Sequence, residues 1–323
     1  MTAQLDERDL STLAQHRGEL TGYCYRMLGS AQDADDAVQE TMIRAWQAYD
    51  GFEGRSSLRS WLYRIATNVC LDALRSRGRR ALPMDLSAPV PSQTLPGAPL
   101  PETVWISPIT DAGAGLDAAD PAEQAVLRDS VRLAFVAALQ HLPPKQRAVL
   151  LLREVLRWPA TDVAELLDTT VASVNSALQR ARATMATLDT ERPAQELGEE
   201  ERELLQRYVQ AFEAYDIEAL VSLMHDDAVM SMPPLPIWLR GVEDLKGWYL
   251  GHGAGCRGSR LVPLAVNGCP GFAQYRLDPS GLHVGWSVQV VEIVDGRIAQ
   301  VHHFLQDFGG RAFDELRLPL TLT

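Results

Sequence analysis

Six hydroxyl, amide and guanidinium side chains recur at helical spacing within residues 170–188, and no acid interrupts them. They are Ser173, Asn175, Ser176, Gln179, Arg180 and Arg182. The apolar positions of the same segment form the opposite face: Val171, Val174, Leu178, Ala181, Met185 and Leu188. A helix with this division can pack on one side and offer the other side to base edges and phosphates. The pattern predicts a DNA-recognition helix.

Two shorter helices are predicted before this segment, over residues 144–155 and 162–167, and Thr170 is placed to cap the third. Three helices in this order form a helix-turn-helix unit. An ordinary helical hairpin with a solvated polar face would give the same pattern. The remainder of the chain therefore has to decide between the two interpretations.

A second set of residues suited to nucleic acid surrounds the glycine-containing loop 50–57. Glycines allow close backbone approach to a ligand, and an aromatic ring beside arginine and asparagine suits an unstacked base with its phosphates. The predicted contact residues are Phe52, Arg55, Ser56, Tyr63, Arg64, Asn68, Asp72, Arg75 and Arg79. Those from Tyr63 onward are expected on the outer face of a helix over 58–76 or in the arginine-rich cluster that follows it.

The helix predicted over residues 33–49 buries a regular apolar stripe and exposes a mixed face. The exposed set is Asp35, Asp36, Gln39, Glu40, Ile43, Arg44 and Gln47. Such a face is either solvated surface or a docking site for a protein partner, and the residues alone leave both interpretations open.

The charge distribution supports nucleic-acid binding despite a net charge of −12. Residues 55–80 carry seven arginines against a single acid, Asp72, and residues 141–188 are also basic. Local basic islands in an acidic chain attract phosphate where they lie, while the acidic remainder disfavours indiscriminate DNA binding.

Length and composition narrow the class of protein further. A chain of 323 residues is long enough for two or three domains. No stretch is apolar enough to cross a bilayer and no signal peptide is recognisable, so we expect a cytoplasmic protein without a membrane partner. Four scattered cysteines, Cys24, Cys70, Cys256 and Cys269, predict free thiols and no metal site. No cofactor is indicated.

The chain divides at changes in composition and periodicity. We predict a helical unit over 5–80, an acidic, proline-rich and extended linker over 81–121, a second helical unit over 122–190, and an α+β unit over 198–323. The last unit alternates two helical patterns with strand-like runs, and Asp295-Gly296 is a strong hairpin signal.

The two helical units resemble extracytoplasmic-function (group IV) sigma-70 family RNA polymerase sigma factors. RMLGSAQDADDAVQETMIRAWQAYDGF and SLRSWLYRIATNVCLDALR are similar to region 2, and LPPKQRAVLLLREVLRWPATDVAELLDTTVASVNSALQRARA is similar to region 4. The resemblance implies a protein that binds core RNA polymerase and directs promoter recognition and transcription initiation. Pro159 and Asp168 depart from the family pattern, but proline suits the start of a helix and Asp tolerates a left-handed turn.

The resemblance also implies roles for the three sets of residues. Residues 35–46 correspond to the helix that binds the polymerase clamp. The loop at 51–57 and residues 63–75 correspond to the reader of the minus-ten element, and the helix 171–185 corresponds to the reader of the minus-thirty-five element. The linker is expected to enter the polymerase active-site cleft, with Asp111, Asp117 and Asp120 imitating the charge of RNA.

The α+β unit resembles the SnoaL-like, ketosteroid-isomerase-like fold, a cone-shaped sheet around a cavity. The expected fold is two all-α sigma domains followed by this α+β domain. We expect this domain to adjust sigma activity, and the alternative is that it binds a small molecule. An isomerase-like enzyme would need a base or an oxyanion donor from Asp226, Asp227, Tyr275, His302 or His303. Because such groups are more often scaffold, we expect no catalytic residue and no enzyme.

Two further interpretations stay open from the residues. One is a ligand sensor or small-molecule enzyme tethered to DNA, and the other is a helix-turn-helix repressor that needs no polymerase. The apolar run Met232 to Gly241, MPPLPIWLRG, either roofs the cavity of its own domain or packs against the sigma helices.

Overall fold

Apolar residues three and four apart build the first part of the chain into three helices, α1 (Arg17–Leu28), α2 (Ala31–Ala48) and α3 (Leu58–Leu74). These elements come from a computed structural model that describes residues 12–54, 56–118, 121–188 and 197–322. Gly29, with φ of 71°, ends α1 in a left-handed turn. The Ser30 hydroxyl then accepts the Asp33 amide and caps α2 at once.

Five further helices of the described residues belong to the same compact unit: α4 (Pro121–Val131), α5 (Leu133–Gln140), α6 (Pro144–Leu150), α7 (Ala160–Leu166) and α8 (Val171–Met185). Helix α6 continues into a wide π turn over Leu151–Val155. Pro159 precedes α7, and Asp168 adopts a left-handed φ of 49° between α7 and α8. The Thr170 hydroxyl accepts the Ser173 amide, which confirms the predicted cap.

Two buried arginines fasten these later helices to α1. Arg26 donates to the Ser130 hydroxyl (2.8 Å) and the Leu127 carbonyl (3.0 Å), and Arg147 donates to the Met27 carbonyl and to the Gln140 side chain (2.7 Å). Burial lowers the pKa of each guanidinium to about 10, so both are still charged at neutral pH. Their hydrogen bonds offset much of the cost of removing charge from water.

The second compact unit contains Ala81–Thr110 and Arg192–Thr323. Its described strands are β1 (Met224–Ser231), β2 (Trp238–Arg240), β3 (Arg260–Val266), β4 (Cys269–Leu277), β5 (His283–Val294), β6 (Arg297–Leu305) and β7 (Thr321–Leu322). They form one sheet in the order β2-β1-β6-β5-β4-β3, with β7 paired to β5. Strands β1 and β6 are parallel and the other pairs are antiparallel.

Helices α9 (Glu199–Ala214), α10 (Ile217–Ser222) and α11 (Val242–Leu250) contribute to the core of this sheet, and a short helix α12 (Ala312–Glu315) follows it. Asp295 and Gly296 have φ of 47° and 70°, as a tight hairpin requires, so the predicted turn is confirmed. The α+β expectation is correct. Helices α11 and α12 and strands β2 and β7 were not predicted, because they are short and weakly periodic.

The segment 81–110, hereafter the connector, differs from the extended linker that its composition predicted. Val90 donates its amide to the Trp238 carbonyl (2.9 Å), and Leu100 donates to the Pro234 carbonyl (3.0 Å). Near its end, Ile109 and Asn267 exchange two hydrogen bonds of 2.9 and 3.0 Å. The connector is therefore docked on its own unit, at β2, at the turn before β2 and at the turn between β3 and β4.

The last part of the predicted linker packs on the helical unit and not on the sheet. Residues 111–118 belong to the helical unit, where Ala114 and Leu116 are buried. Gly22 on α1 leaves no room for a side chain, since a Cβ atom there would lie 2.3 Å from the Ala114 carbonyl oxygen. Asp120 lies outside the described residues.

The apolar run Met232 to Gly241 roofs its own domain, as one of the two expected arrangements proposed. Trp238 is 8% exposed and its indole donates to the Ser87 carbonyl of the connector (2.9 Å). Met232 and Leu235 line a cavity beneath it.

No disulfide joins the four described cysteines, and three of them are buried. Within the described ranges, no helix combines the length and apolarity needed to cross a bilayer.

Loss of the Trp238 indole should loosen the connector. We expect Trp238→Phe to destabilise the full chain by about 1 kcal/mol, the worth of one hydrogen bond, and Trp238→Ala by about 3–5 kcal/mol. Urea unfolding measures both effects, and amide hydrogen exchange at Val90 should accelerate in each variant. Leu95→Ala, at a 75% exposed position of the connector, is the control. Unchanged exchange at Val90 in Trp238→Ala would contradict the docked connector.

Candidate functional site

The polar face predicted for α8 is exposed in the structure. Each of its six predicted contact residues, Ser173, Asn175, Ser176, Gln179, Arg180 and Arg182, is exposed. Val174, Leu178 and Ala181 on the opposite face are buried, whereas Val171 is 39% exposed. Helix α8 therefore presents a continuous polar ridge on a well-packed base.

Side-chain contacts already orient the guanidinium groups of this ridge. Arg180 donates to the Ser176 hydroxyl at 2.7 Å, one helical turn earlier. Arg182 forms an exposed 2.5 Å ion pair with Glu154. Exposed pairs of this kind contribute about 0–1 kcal/mol, so a phosphate can replace the carboxylate at low cost.

The second set surrounds α3, and part of it is open to solvent. Asn68, Asp72 and Arg75 are exposed, and Arg75 pairs with Asp72 at 2.8 Å. Phe52 is half-buried against Trp61, with ring centroids 5.0 Å apart. Ser56 is half-buried, and Arg55 lies outside the described residues.

Tyr63 was expected on the outer face of α3, and this expectation is wrong. The side chain is fully buried, its ring lies 5.1 Å from both the Tyr23 and the Trp158 rings, and its hydroxyl donates to Glu19 (3.3 Å). Apolar spacing alone placed Tyr63 outside, because the sequence pattern does not reveal that a later segment covers that face. Burial and the adjacent Glu19 raise the pKa of its hydroxyl well above the usual value.

The covering segment is the start of the helix-turn-helix unit. Trp158 packs on Tyr63, and the Arg59 guanidinium lies over the Trp158 ring at 5.7 Å. Arg64 donates to the carbonyl and to the carboxylate of Glu165 on α7, at 3.2 and 3.3 Å. Arg79 contacts the His141 ring at 2.8 Å. Trp158, Arg59 and Glu165 were missed, since nothing local in the sequence marks a contact between distant segments.

The α2 face retains the expected exposure. Asp36, Gln39, Ile43, Arg44 and Gln47 are exposed, and Asp35 and Glu40 are partly so. The neighbouring Trp46 is 54% exposed and Ile43 is 49% exposed, one helical turn apart. A large aromatic and an aliphatic side chain surrounded by charge form a patch suited to a protein partner.

The second unit encloses a cavity of about 280 Å³. Of the residues considered for catalysis, only His303 lines it, and no Asp or Glu is among its described lining residues. Asp226 and Asp227 are exposed, Tyr275 packs on Phe313, and His302 is bonded to Ser231 and Gln300. Burial and His302 lower the pKa of His303 to about 3, which makes it a weak base.

Comparison with known families agrees with this geometry. Residues 12–80 match Sigma-70 region 2, residues 132–185 match Sigma-70 region 4, and residues 205–301 match the SnoaL-like domain. The fold and surfaces thus define a two-region sigma factor with an added α+β domain.

Relatives narrow this class further. The chain is 44% identical over 297 residues to the ECF RNA polymerase sigma factor SigG of Mycobacterium tuberculosis, covering 90% of this chain and 79% of that protein. It is 29% identical over 292 residues to SigJ of the same organism, covering 84% of each. The chain belongs to the ECF RNA polymerase sigma factor family, so it binds core RNA polymerase and directs promoter recognition and transcription initiation.

A solved structure shares the complete architecture. The crystal structure of Mycobacterium tuberculosis SigJ aligns with a TM-score of 0.60 at 21% identity, covering 97% of this chain and 100% of that one. The likeness establishes a common fold, including the SnoaL-like domain after the sigma helices.

Substitutions on α8 and α3 should affect promoter binding differently. We expect Arg180→Ala or Gln179→Ala to weaken holoenzyme binding by about 1–3 kcal/mol, because a base contact is lost. Arg75→Ala should weaken binding to all promoters, because a phosphate contact is lost. The slope of the logarithm of the binding constant against the logarithm of salt concentration should fall in magnitude by about 1.

Electrophoretic titrations at several salt concentrations would measure both effects. The control is a template with base substitutions in the minus-thirty-five element. On this template Arg180→Ala should no longer weaken binding. Equal losses for all three variants on both templates would contradict the separation of base reading from phosphate contact.

Proposed function

We propose that three surfaces of this sigma factor divide its work. The α8 ridge reads the minus-thirty-five element, the loop before α3 with the exposed face of α3 reads the minus-ten element, and the α2 patch docks on core RNA polymerase in the cytoplasm. The support is the exposure of the α8 polar set and of Ile43 and Trp46. Phe52 with Trp61 supplies the aromatic surface that an unstacked base requires.

The helical unit is in a closed arrangement that cannot engage a whole promoter. Arg64 on the minus-ten surface touches Glu165 in the helix-turn-helix unit at 3.3 Å. The two promoter elements are about 25 base pairs apart, or roughly 85 Å at ~3.4 Å per pair. Both cannot be contacted while these side chains meet, so the unit has to open when it binds polymerase and DNA.

We infer that the SnoaL-like domain regulates this opening through the connector. Residues 81–110 join region 2 to region 4, and they are docked on the sheet. Ile106 donates to the Ala81 carbonyl (3.2 Å), and Thr110, four residues further, pairs with Val266. At about 3.3 Å per residue, the docked ends are within roughly 15 Å, whereas a free connector reaches roughly 100 Å. The observation that carries the proposal is the docking of the connector, since it limits the distance that the connector can span.

The cavity chemistry favours regulation over catalysis. No carboxylate is among its described lining residues, and His303 is held neutral. A proton-abstracting enzyme needs a base whose pKa is near the working pH.

Release of the connector should raise initiation. We expect the double variant Val90→Pro, Leu100→Pro to increase transcripts up to about fivefold for each lost hydrogen bond of ~1 kcal/mol, because proline removes the two donated amides. Transcription in vitro would use core polymerase and a promoter selected from a random library with the wild-type holoenzyme. Ala98→Pro is the matched control, since its amide donates no described bond. Equal transcript levels in all three proteins would reject regulation through the connector.

Loss of the closed contact should strengthen DNA binding by the free protein. We expect Glu165→Gln to raise the affinity for a random single-stranded 20-mer up to about fivefold, because an exposed ion pair is worth ~0.2–1 kcal/mol. Trp158→Ala should raise it up to about tenfold, since an aromatic contact is worth ~0.5–1.5 kcal/mol. Fluorescence anisotropy measures both affinities.

Asp162→Asn makes the same charge change on the same helix without touching Arg64 and serves as the control. If it matches Glu165→Gln, the gain reflects net charge alone and the closed contact has no inhibitory role.

A further inference from the structure

The cavity of the SnoaL-like domain has a buried floor and a more exposed mouth. Met230, Leu235 and Leu305 are buried around its floor, whereas Phe308 is 51% exposed at its mouth. Its volume of about 280 Å³ equals that of roughly nine liquid water molecules at about 30 Å³ each. That volume suits a one- or two-ring organic molecule, near the lower end of the size range of ligand pockets.

Two residues that line this cavity each carry a buried polar atom without a hydrogen-bond partner among the described residues, namely the Tyr249 hydroxyl and Nε2 of His303. Tyr249 is 2% exposed and His303 is 6% exposed. An unsatisfied buried polar group is costly, so folded proteins rarely keep one without a purpose.

Polar side chains in the neighbouring interior of this domain are paired with one another. Tyr208 donates to Gln289 (2.8 Å), and Gln289 and Ser287 both donate to Gln274 (3.0 and 2.8 Å). Gln274 in turn donates to Ser259 (3.1 Å). The buried atoms of Tyr249 and His303 differ from this neighbouring network in having no such partner.

One cation faces the same space. Arg276 lies over the Trp286 ring at 4.0 Å and its Nε donates to the Gly255 carbonyl at 2.8 Å. Among the described residues no carboxylate pairs with this guanidinium, and none lines the cavity. Its terminal nitrogens can donate to an anion beside the aromatic surface of Trp286 and Trp248.

We propose that this cavity binds a small planar aromatic anion, such as an aromatic carboxylate of one or two rings. Arg276 holds the acidic group, Trp286, Trp248 and Phe308 contact the ring, and Tyr249 with His303 bonds a second polar substituent. A neutral imidazole can donate or accept according to its tautomer, and the phenol can do either.

The ligand would also act on the connector, an inference that rests on the proposed regulatory function. Pro96 of the connector lines the cavity, and the Gln93 carbonyl lies 3.4 Å from the His252 ring nitrogen at the same mouth. A ligand contacting Pro96 binds the docked connector better than the free one, so it shifts the balance toward docking.

The test titrates the full chain with 6-hydroxy-2-naphthoate by calorimetry. 6-Hydroxy-2-naphthamide serves as the neutral counterpart and 2-naphthoate as the counterpart without the second polar group. We expect the hydroxynaphthoate to bind at least tenfold more tightly than the amide. Arg276→Gln should abolish that preference, and Tyr249→Phe should weaken the hydroxynaphthoate several-fold without lowering the urea midpoint, because its hydroxyl has no partner to lose.

Arg257→Gln is the matched control, since Arg257 also lies over an aromatic ring, that of Tyr215 at 4.6 Å, but does not line the cavity. No binding at millimolar concentration, equal binding of acid and amide, or equal losses in Arg276→Gln and Arg257→Gln would each overturn the proposed ligand class.

Amide exchange at Val90 and Leu100 tests the coupling in the same samples. Saturating hydroxynaphthoate should slow both amides several-fold, and unchanged exchange with full binding would overturn the coupling. Neither measurement involves polymerase or DNA, and the connector variants are assayed without ligand. A failure of the ligand proposal is thus distinguishable from a failure of the regulatory function.

Discussion

The burial of two guanidinium groups is the constraint on which the helical unit depends. Arg26 and Arg147 carry charge into the interface between α1 and helices α4 to α6, where carbonyl and side-chain oxygens receive their hydrogen bonds. A buried charge without such partners would cost several kcal/mol. The interface is therefore specific. Another arrangement of these helices would separate the two charges from their acceptors, and it would be less stable unless water reached the charges.

The sequence predicted the helices well but the covered surface of α3 poorly. Helix periodicity and caps are local, so α2, α3 and α8 began and ended within a few residues of the expected positions. Whether Tyr63 faces solvent is decided by Trp158, which is far along the chain. The polar ridge of α8 was predictable because the spacing of polar and apolar residues along one helix determines both of its faces.

The connector illustrates a different limit of sequence reasoning. Proline-rich composition excludes regular helices and strands, and it was interpreted as an extended linker. Isolated backbone amides can still find acceptors, as Val90 does on strand β2 and Leu100 does in the turn before it, and no local sequence pattern predicts such pairing. The cavity was equally hidden, since the sequence named His303 as one of several candidates but did not indicate Arg276, Tyr249 or Trp286 as its neighbours.

The short path across the docked connector also changes the entropy of closing the sigma helices on each other. The bond between Ile106 and Ala81 bypasses most of the thirty residues, so the effective loop between the two regions has about five. Loop-closure entropy scales as ~1.5 RT ln n, and this shortening lowers its cost by roughly 1.5 kcal/mol. The local concentration of region 4 around region 2 thereby rises roughly tenfold. By shortening the effective connector, the SnoaL-like domain can change how often region 4 meets region 2 without contacting DNA.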